Sequence, residues 1–283
     1  MGATRQTDDE QAALWNGPAG RAWVDAQDVL DQGLKPMEES LVEAVLASGS
    51  APKRCVLDVG CGTGSTTLAV ARRLGPNGRC VGIDISEPMI VAARNRMERE
   101  GLGTSFIHAD AQTYPFEPSS FDAIISRFGV MFFEEPVHAF ANLRRAATVE
   151  AALRFIAWRG PGENAFMTTA ERAAASLLPN LPVRRANAPG QFAFADSDWV
   201  HTILAESGWT EIDVRPIDPS CTFPERELVR YVTRLGPVGR VLDQVDERTR
   251  MQVIEKACRA FDPYVRGGEV HFTAACWMVS ARA

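Results

Sequence analysis

Three glycines at alternate positions, Gly60, Gly62 and Gly64, interrupt the chain immediately after the short apolar run Val56-Leu-Asp-Val59. That run carries one acid, Asp58, and the glycines lead into residues 65–74, whose apolar spacing predicts a helix closed by Gly75-Pro76. Strand, glycine turn and helix in this order open a nucleotide-binding α/β fold. Glycines reach backbone angles that other residues resist, and they let a ligand approach the main chain. The spacing departs from the dinucleotide pattern G-x-G-x-x-G, because Ser65 follows Gly64 directly, and no lysine follows in the P-loop position.

The next predicted strand, 80–85, ends in Asp84, 20 residues past Gly64. A carboxylate at that end accepts hydrogen bonds from both hydroxyls of a ribose. The third, 105–110, ends in Asp110 followed by Ala111, a pair placed to meet an adenine with the acid accepting from its exocyclic amine. An adenosine pocket without a phosphate-binding signal best suits S-adenosylmethionine. Capping of the following helices by Asp84 and Asp110 is the competing reading.

Val56–Gly64, Gly82-Ile-Asp-Ile-Ser86, His108-Ala-Asp-Ala111 and Phe121-Asp-Ala-Ile-Ile-Ser126 resemble, in order and spacing, the successive motifs of class I S-adenosylmethionine-dependent methyltransferases. Within that group they resemble the ubiquinone/menaquinone C-methyltransferase-like branch, over residues 50–160. The resemblance implies a Rossmann-like α/β fold: a doubly wound, seven-stranded, mostly parallel sheet with its last strand antiparallel. It implies that the glycine turn lies against the methionine part of the cofactor, Asp84 holds the ribose and Asp110 the adenine amine. The cofactor-binding set is then Asp58, Gly60, Cys61, Gly62, Gly64, Asp84, Ile85, Asp110, Ala111, Ser126 and Arg127. The implied activity is methyl transfer from S-adenosyl-L-methionine to a small, partly apolar metabolite. One departure stands out: the Leu-x-Pro-Gly-Gly turn that the family places before its fifth strand is replaced by Ala147-Thr-Val-Glu-Ala-Ala152, so that connection must differ.

Composition narrows the partners. Apolar residues make up 46% and charged residues 23% of the 283 residues, ordinary values for a globular protein. The net charge of −6 with scattered basic residues argues against a nucleic-acid partner. Six cysteines without a C-x-x-C pair read as reduced, mostly buried thiols of a cytoplasmic protein, with neither a disulfide frame nor a metal site. No stretch reaches the length of a membrane span. Residues 1–10 lack the apolar core of a signal peptide and read as disordered.

Three regions follow: an N-terminal arm or lid (1–35), the cofactor-binding core (36–160) and a C-terminal part (161–283) that completes the sheet. In the arm, Trp15 and Trp23 either cover the cofactor cleft, where an aromatic face stabilises a sulfonium, or pin the arm by burial. Members of the branch often begin with a similar Trp-Asn-Gly…Trp segment. Helices are predicted at 36–47, 86–100 with Ser86 as N-cap, 136–147, 164–178, 196–207, 225–235 and 246–260. Further strands are predicted at 121–126, 153–158, 211–216 and 270–280. About fifty residues separate the last two strands, a length that signals a functional insertion. We read helical substrate-cap insertions at 160–208 and 219–268, with a homodimer surface as the alternative.

The loop after the fourth strand, Arg127-Phe-Gly-Val-Met-Phe-Phe133, is unusually apolar, and ligands of open α/β sheets bind beyond these strand ends. Phe128 and Met131, with Trp23, are the candidate acceptor contacts, whereas Phe133 is expected to pack beneath the next helix. Arg127 meets the cofactor carboxylate or an acidic substrate, or else makes an outward ion pair. Methyl transfer from a sulfonium is an in-line displacement with an activated leaving group, so positioning and water exclusion supply most of the acceleration. A base is needed only for an acceptor protonated at working pH. His108 and His138 read as structural, and no catalytic residue is assigned. Two other classes stay open: a nicotinamide-dependent oxidoreductase and a non-catalytic S-adenosylmethionine-binding regulator.

Overall fold

A computed structural model describes residues 11–47, 55–182 and 188–283; the expectations for residues 1–10 and for the helix end near Gly49 lie outside them. Its main sheet contains β1 (Cys55–Val59), β2 (Arg79–Asp84), β3 (Ser105–His108), β4 (Phe121–Arg127), β5 (Ala147–Trp158) and β6 (Thr210–Ile217). A smaller sheet contains β7 (Ser220–Pro224), β8 (Val265–Arg266) and β9 (Glu269–Thr273), and β10 (Cys276–Arg282) returns to the main one. The main order is β3-β2-β1-β4-β5-β10-β6. β10 runs antiparallel to both β5 and β6, and the pairs among β1 to β5 are parallel. This is the expected seven-stranded, doubly wound arrangement with its last strand antiparallel.

The strand order reverses between β1 and β4, so the chain leaves these two strands in opposite directions and opens a crevice at their carboxyl ends. Met37, Leu41 and Val45 repeat at helical spacing along Lys35–Leu46, and all three are fully buried where that helix packs on β4 and β5. Each such burial stabilises the fold by roughly 1.5–3 kcal/mol.

Several element boundaries differ from expectation. The third strand stops at His108, leaving Asp110 on the turn beyond it. β5 starts at Ala147, directly after the helix Pro136–Ala146. A bulge replaces the missing glycine turn: Phe121 pairs with Ala147 but Ala123 pairs with Ala152, and Glu150 takes φ +64°. The predicted strand 270–280 is two strands in two sheets. Its link, Ala274-Ala275, is held by Ala274 N donating to Pro219 O (3.0 Å) and Ala275 N donating to Asn164 Oδ1 (3.0 Å).

The insertion between β6 and β10 is therefore not purely helical. Gly267 and Gly268, at φ +60° and +80°, form the two-residue turn of a hairpin between β8 and β9. With β7 this hairpin backs the helices Leu228–Arg234 and Glu247–Ala260 and shares an apolar cluster with them. The helix predicted at 164–178 ends at Ala174.

Candidate functional site

The glycine turn is built by backbone contact. Gly60, Gly62 and Gly64 have φ of +65°, +54° and +85°, the left-handed region that side chains disfavour. Gly60 N and Cys61 N both donate to Ile83 O, tying the turn to the end of β2. A Cβ on Gly60 would stand 2.5 Å from Gly129 Cα, so the turn after β1 and the turn after β4 touch main chain to main chain. At Gly64 a Cβ would meet the Phe106 ring at 2.9 Å, so this glycine lets the next helix pack closely.

A single cleft runs along these turns, with about 1700 Å³ of empty space including its mouth. Gly60, Gly62, Asp84, Ile85, Asp110, Ala111 and Arg127 line it, as do Trp23, Phe128 and Met131.

Four residues of the expected set lie behind this lining. The Cys61 thiol is buried among Leu68, Ile90, Ala93 and Phe106. Gly64 packs as described, and Ser126 Oγ accepts from Gly129 N (3.1 Å) and Val130 N (3.2 Å), shaping the turn after β4. Asp58 is fully buried; its Oδ2 accepts from Thr67 Oγ1 at 2.6 Å, and its Oδ1 has no hydrogen-bond partner. Burial pushes its pKa from 3.8 up to about 7, against the opposing pull of Thr67 and Arg127.

The folded state thus holds a proton on Asp58 that the unfolded chain releases near pH 4. Stability from this group is full below that pH, falls as pH rises towards about 7, and is flat above it. The span corresponds to on the order of 4 kcal/mol. Asp58→Asn should remove this dependence. Denaturant unfolding of both proteins from pH 5 to 8 should show the variant gaining on the wild type as pH rises; parallel curves would contradict the assignment.

Both proposed adenosine acids hold turns while facing the cleft. Asp84 accepts from Gly62 N through Oδ2 and from Ser86 N through Oδ1, both at 2.8 Å. Its pKa is raised by burial, with those backbone hydrogen bonds opposing. Asp110 Oδ1 accepts from Gln112 N (2.9 Å), and the Gln112 side chain reaches back to both carboxylate oxygens. Gln112 Oε1 in turn accepts from Glu134 N at 2.8 Å, joining the turns after β3 and β4.

The N-terminal arm closes one side of the site through contacts no motif announces. Asn16 Nδ2 donates to Ile85 O (3.0 Å), and its Oδ1 accepts from Glu87 N (2.8 Å). Ser86 stands at the N-cap of Glu87–Glu100, but its hydroxyl donates to Trp15 O, so Asn16 performs the capping expected of Ser86. Further along, Asp31 pairs with Arg96 at 2.9 Å, and Arg96 also donates to Thr63 O in the glycine turn. Glu38 is buried and accepts from Lys35 (2.6 Å) and from Ser65 Oγ. Burial pushes its pKa up, but these two hydrogen bonds prevail and hold it below the usual carboxylate value. Arg127 lines the cleft and donates to Leu34 O at 3.4 Å rather than forming an outward ion pair.

Beyond Arg127 the lining becomes apolar and aromatic. Phe128 sits at φ +68°, a strained angle for a bulky residue, with its ring stacked on Trp158 at 4.4 Å. Met131 is buried, and its Sδ accepts from Trp158 N. Phe133 reaches the cleft and also packs edge-on against Phe140 of the following helix, as expected. Trp15 meets Trp23 and Phe132 edge-to-face. The far wall is Phe166, Phe223, Tyr231, Phe261 and Phe272 from the C-terminal part. No histidine is among the lining residues; His108 contacts Ile85 O from the exposed side.

The chain's relatives bear on this geometry. A family model described as a methyltransferase domain matches residues 56–149. Demethylmenaquinone methyltransferase of Thermus thermophilus is 36% identical over 121 residues, which are 43% of this chain and 54% of that protein. The enzyme of the same name from Renibacterium salmoninarum is 28% identical over 218 residues, 74% of this chain and 88% of that one. The first three such matches span 54%, 40% and 62% of the relatives' own lengths. The crystal structure of YcgJ from Bacillus subtilis superposes with TM-score 0.54 at 15% identity, covering 87% of this chain and 97% of that one, a likeness of fold. Among the described residues no helix is long and apolar enough to cross a membrane. The domain match and the similarity to these enzymes agree with the strand order and the glycine turn: residues 56–149 match a methyltransferase domain, and the chain is similar to demethylmenaquinone methyltransferases.

Proposed function

We propose that this protein transfers a methyl group from S-adenosylmethionine to a small, partly apolar acceptor. The observation that carries the reading is the continuity of one cleft, from Gly60, Asp84 and Asp110 to the aromatic wall of the C-terminal insertions. The residues present suit the cofactor. Gly62 faces the cleft with only Met89 near the place of a side chain, leaving its main chain open to a ligand. Asp84 offers its carboxylate to a ribose, Asp110 to an adenine amine, and Arg127 a cation to a carboxylate. Asp58, Cys61, Gly64 and Ser126 support the turns that these residues stand on.

When bound, the cofactor supplies an activated methyl group on a sulfonium. The chain's part is positional. The stacked pair Phe128 and Trp158, with Met131 behind it, gives the acceptor side a rigid wall. The arm, latched by Asn16, and the aromatic insertions keep water out, which favours an in-line displacement. We read residues 1–35 as the lid, 36–160 as the cofactor core and 161–283 as the part bearing the acceptor cap. The cap reading is preferred to a dimer surface because the insertion's rings face the cleft. The relatives' names support an acceptor of small-molecule size. All six cysteines are free thiols, which favours the reducing cytoplasm as the site of action.

Calorimetric titration of S-adenosylmethionine, S-adenosylhomocysteine and NAD⁺ into the protein tests this reading. Micromolar binding of the first two and none of the third is expected. Binding of NAD⁺ alone would return the nicotinamide oxidoreductase.

A further inference from the structure

A second chamber shares part of its wall with the cleft. Gln11, Trp15, Trp23, Phe132 and Gln191 line both spaces. Gly60, Gly62, Asp84, Asp110 and Arg127 line the cleft but not the chamber, so the chamber adjoins the acceptor side. Its wall carries Arg234 and Arg240 and, among the described residues, no carboxylate. At the boundary stand two carboxamides, Gln11 from the arm and Gln191 from the segment before the helix Ser197–Glu206. Gln11 Oε1 is buried and has no hydrogen-bond partner among the described residues. Its backbone is well fixed. Gln11 lies one helical turn before Trp15, whose ring packs edge-to-face on Trp23 and Phe132 and whose carbonyl accepts from Ser86 Oγ at 2.7 Å. Asn16 fastens the end of that turn to Ile85 O and Glu87 N. A buried carbonyl oxygen without a partner is costly, and native folds keep few of them. On a cavity wall, a bound molecule can supply the missing donor.

We infer that the chamber is the subsite for the non-reacting end of the methyl acceptor, an elongated apolar molecule whose terminal hydroxyl or amide N–H donates to Gln11 Oε1. The inference rests on the methyltransferase reading and specifies its substrate class. The reacting end then lies towards Phe128 and Trp158, and the apolar body passes Trp15, Trp23 and Phe132. The donor is uncharged, because an ammonium entering the chamber meets two arginines and no acid on its wall. A carboxylate suits the arginines but has no hydrogen to give the buried oxygen. A site built around such an oxygen rejects an analogue whose donor is methylated, since the oxygen then stays unpaired. Because the arm is latched before the acceptor arrives, little ordering is left to oppose binding.

The test uses 6-phenylhexan-1-ol, its methyl ether, 6-phenylhexylamine and 6-phenylhexanoate. Each is titrated into the protein saturated with S-adenosylhomocysteine and followed by the fluorescence of Trp15 and Trp23, which line both spaces. The alcohol should bind tightest, about tenfold tighter than the ether. In Gln11→Leu that preference should shrink to within about threefold, with S-adenosylhomocysteine affinity unchanged. Without ligand this variant should melt no lower than the wild type, because the Gln11 side-chain oxygen bonds to nothing in the described protein. Ala19→Trp narrows the chamber at a residue outside the cleft lining, and it should weaken the alcohol about tenfold. Equal or tighter binding of the ether, the amine or the carboxylate would overturn the inference and leave the cofactor site standing. So would a preference that survives Gln11→Leu, a lower melting temperature of that variant, full alcohol affinity in Ala19→Trp, or no binding of any of the four. Loss of S-adenosylhomocysteine affinity in Gln11→Leu would overturn it too, by assigning Gln11 to the cofactor. Failure of S-adenosylhomocysteine to bind the wild type would instead overturn the methyltransferase reading, and this inference with it.

Discussion

Asp84→Ala is expected to weaken S-adenosylmethionine binding by about a hundredfold or more. The substitution removes the carboxylate proposed to receive the ribose, and it also releases Gly62 N and Ser86 N, which both donate to it at 2.8 Å. Hydrogen bonds to a charged group contribute about 1.5–3 kcal/mol each, and two of them exceed the 2.7 kcal/mol or so that a hundredfold represents. Asp84→Asn separates the two contributions. It keeps the side chain's shape and one carbonyl oxygen, so the loss should be about tenfold. Calorimetry with the three proteins measures both. Affinities within threefold of the wild type for Asp84→Ala would mean that the ribose is held elsewhere.

Gly129→Ala should disturb the site from the other side. Gly129 has φ −75°, an angle alanine adopts freely, so only the contact decides the outcome. The added Cβ would stand 2.6 Å from both Gly60 Cα and Val59 O. Both are main-chain atoms, and no side chain can swing aside to make room. The turn after β1 must separate from the turn after β4, at a cost of about 1–3 kcal/mol from overpacking. Because Gly60 lines the cleft, cofactor affinity should fall together with the melting temperature. Gly162→Ala is the control, since a Cβ there meets nothing within 4 Å. Equal thermal stability and cofactor affinity of the two variants would show that the two turns can part without loss.

The strand-end half of the cleft was readable because its motifs lie at strand ends, and a strand end in an open α/β sheet is already a place in space. Asp84, Asp110 and the alternate glycines needed only their order in the chain to be located. Direction was not readable in the same way. Asp58 belongs to the same motif as Gly60, yet its carboxylate turns inward to Thr67. The latch formed by Asn16 joins residues 69 and 71 positions apart, and a polar side chain in a linker gives no sign of which backbone group it will meet.

The small sheet was missed although Gly267-Gly268 is a hairpin signal. The apolar residues from Val270 to Ser280 read as one strand because only Ala274-Ala275 marks the crossing. What holds that crossing is a pair of long-range hydrogen bonds, to Pro219 and Asn164. The missing family turn before β5 did show in the sequence, and the bulge at Glu150 is how the chain manages without it.

The most direct test of the central claim is a crystal structure with S-adenosylhomocysteine. The account predicts an adenosine between Asp84 and Asp110, a ligand carboxylate near Arg127, and a sulfur facing the chamber walled by Phe128 and Trp158. A ligand bound outside the cleft, or one whose sulfur faces away from that chamber, would contradict it.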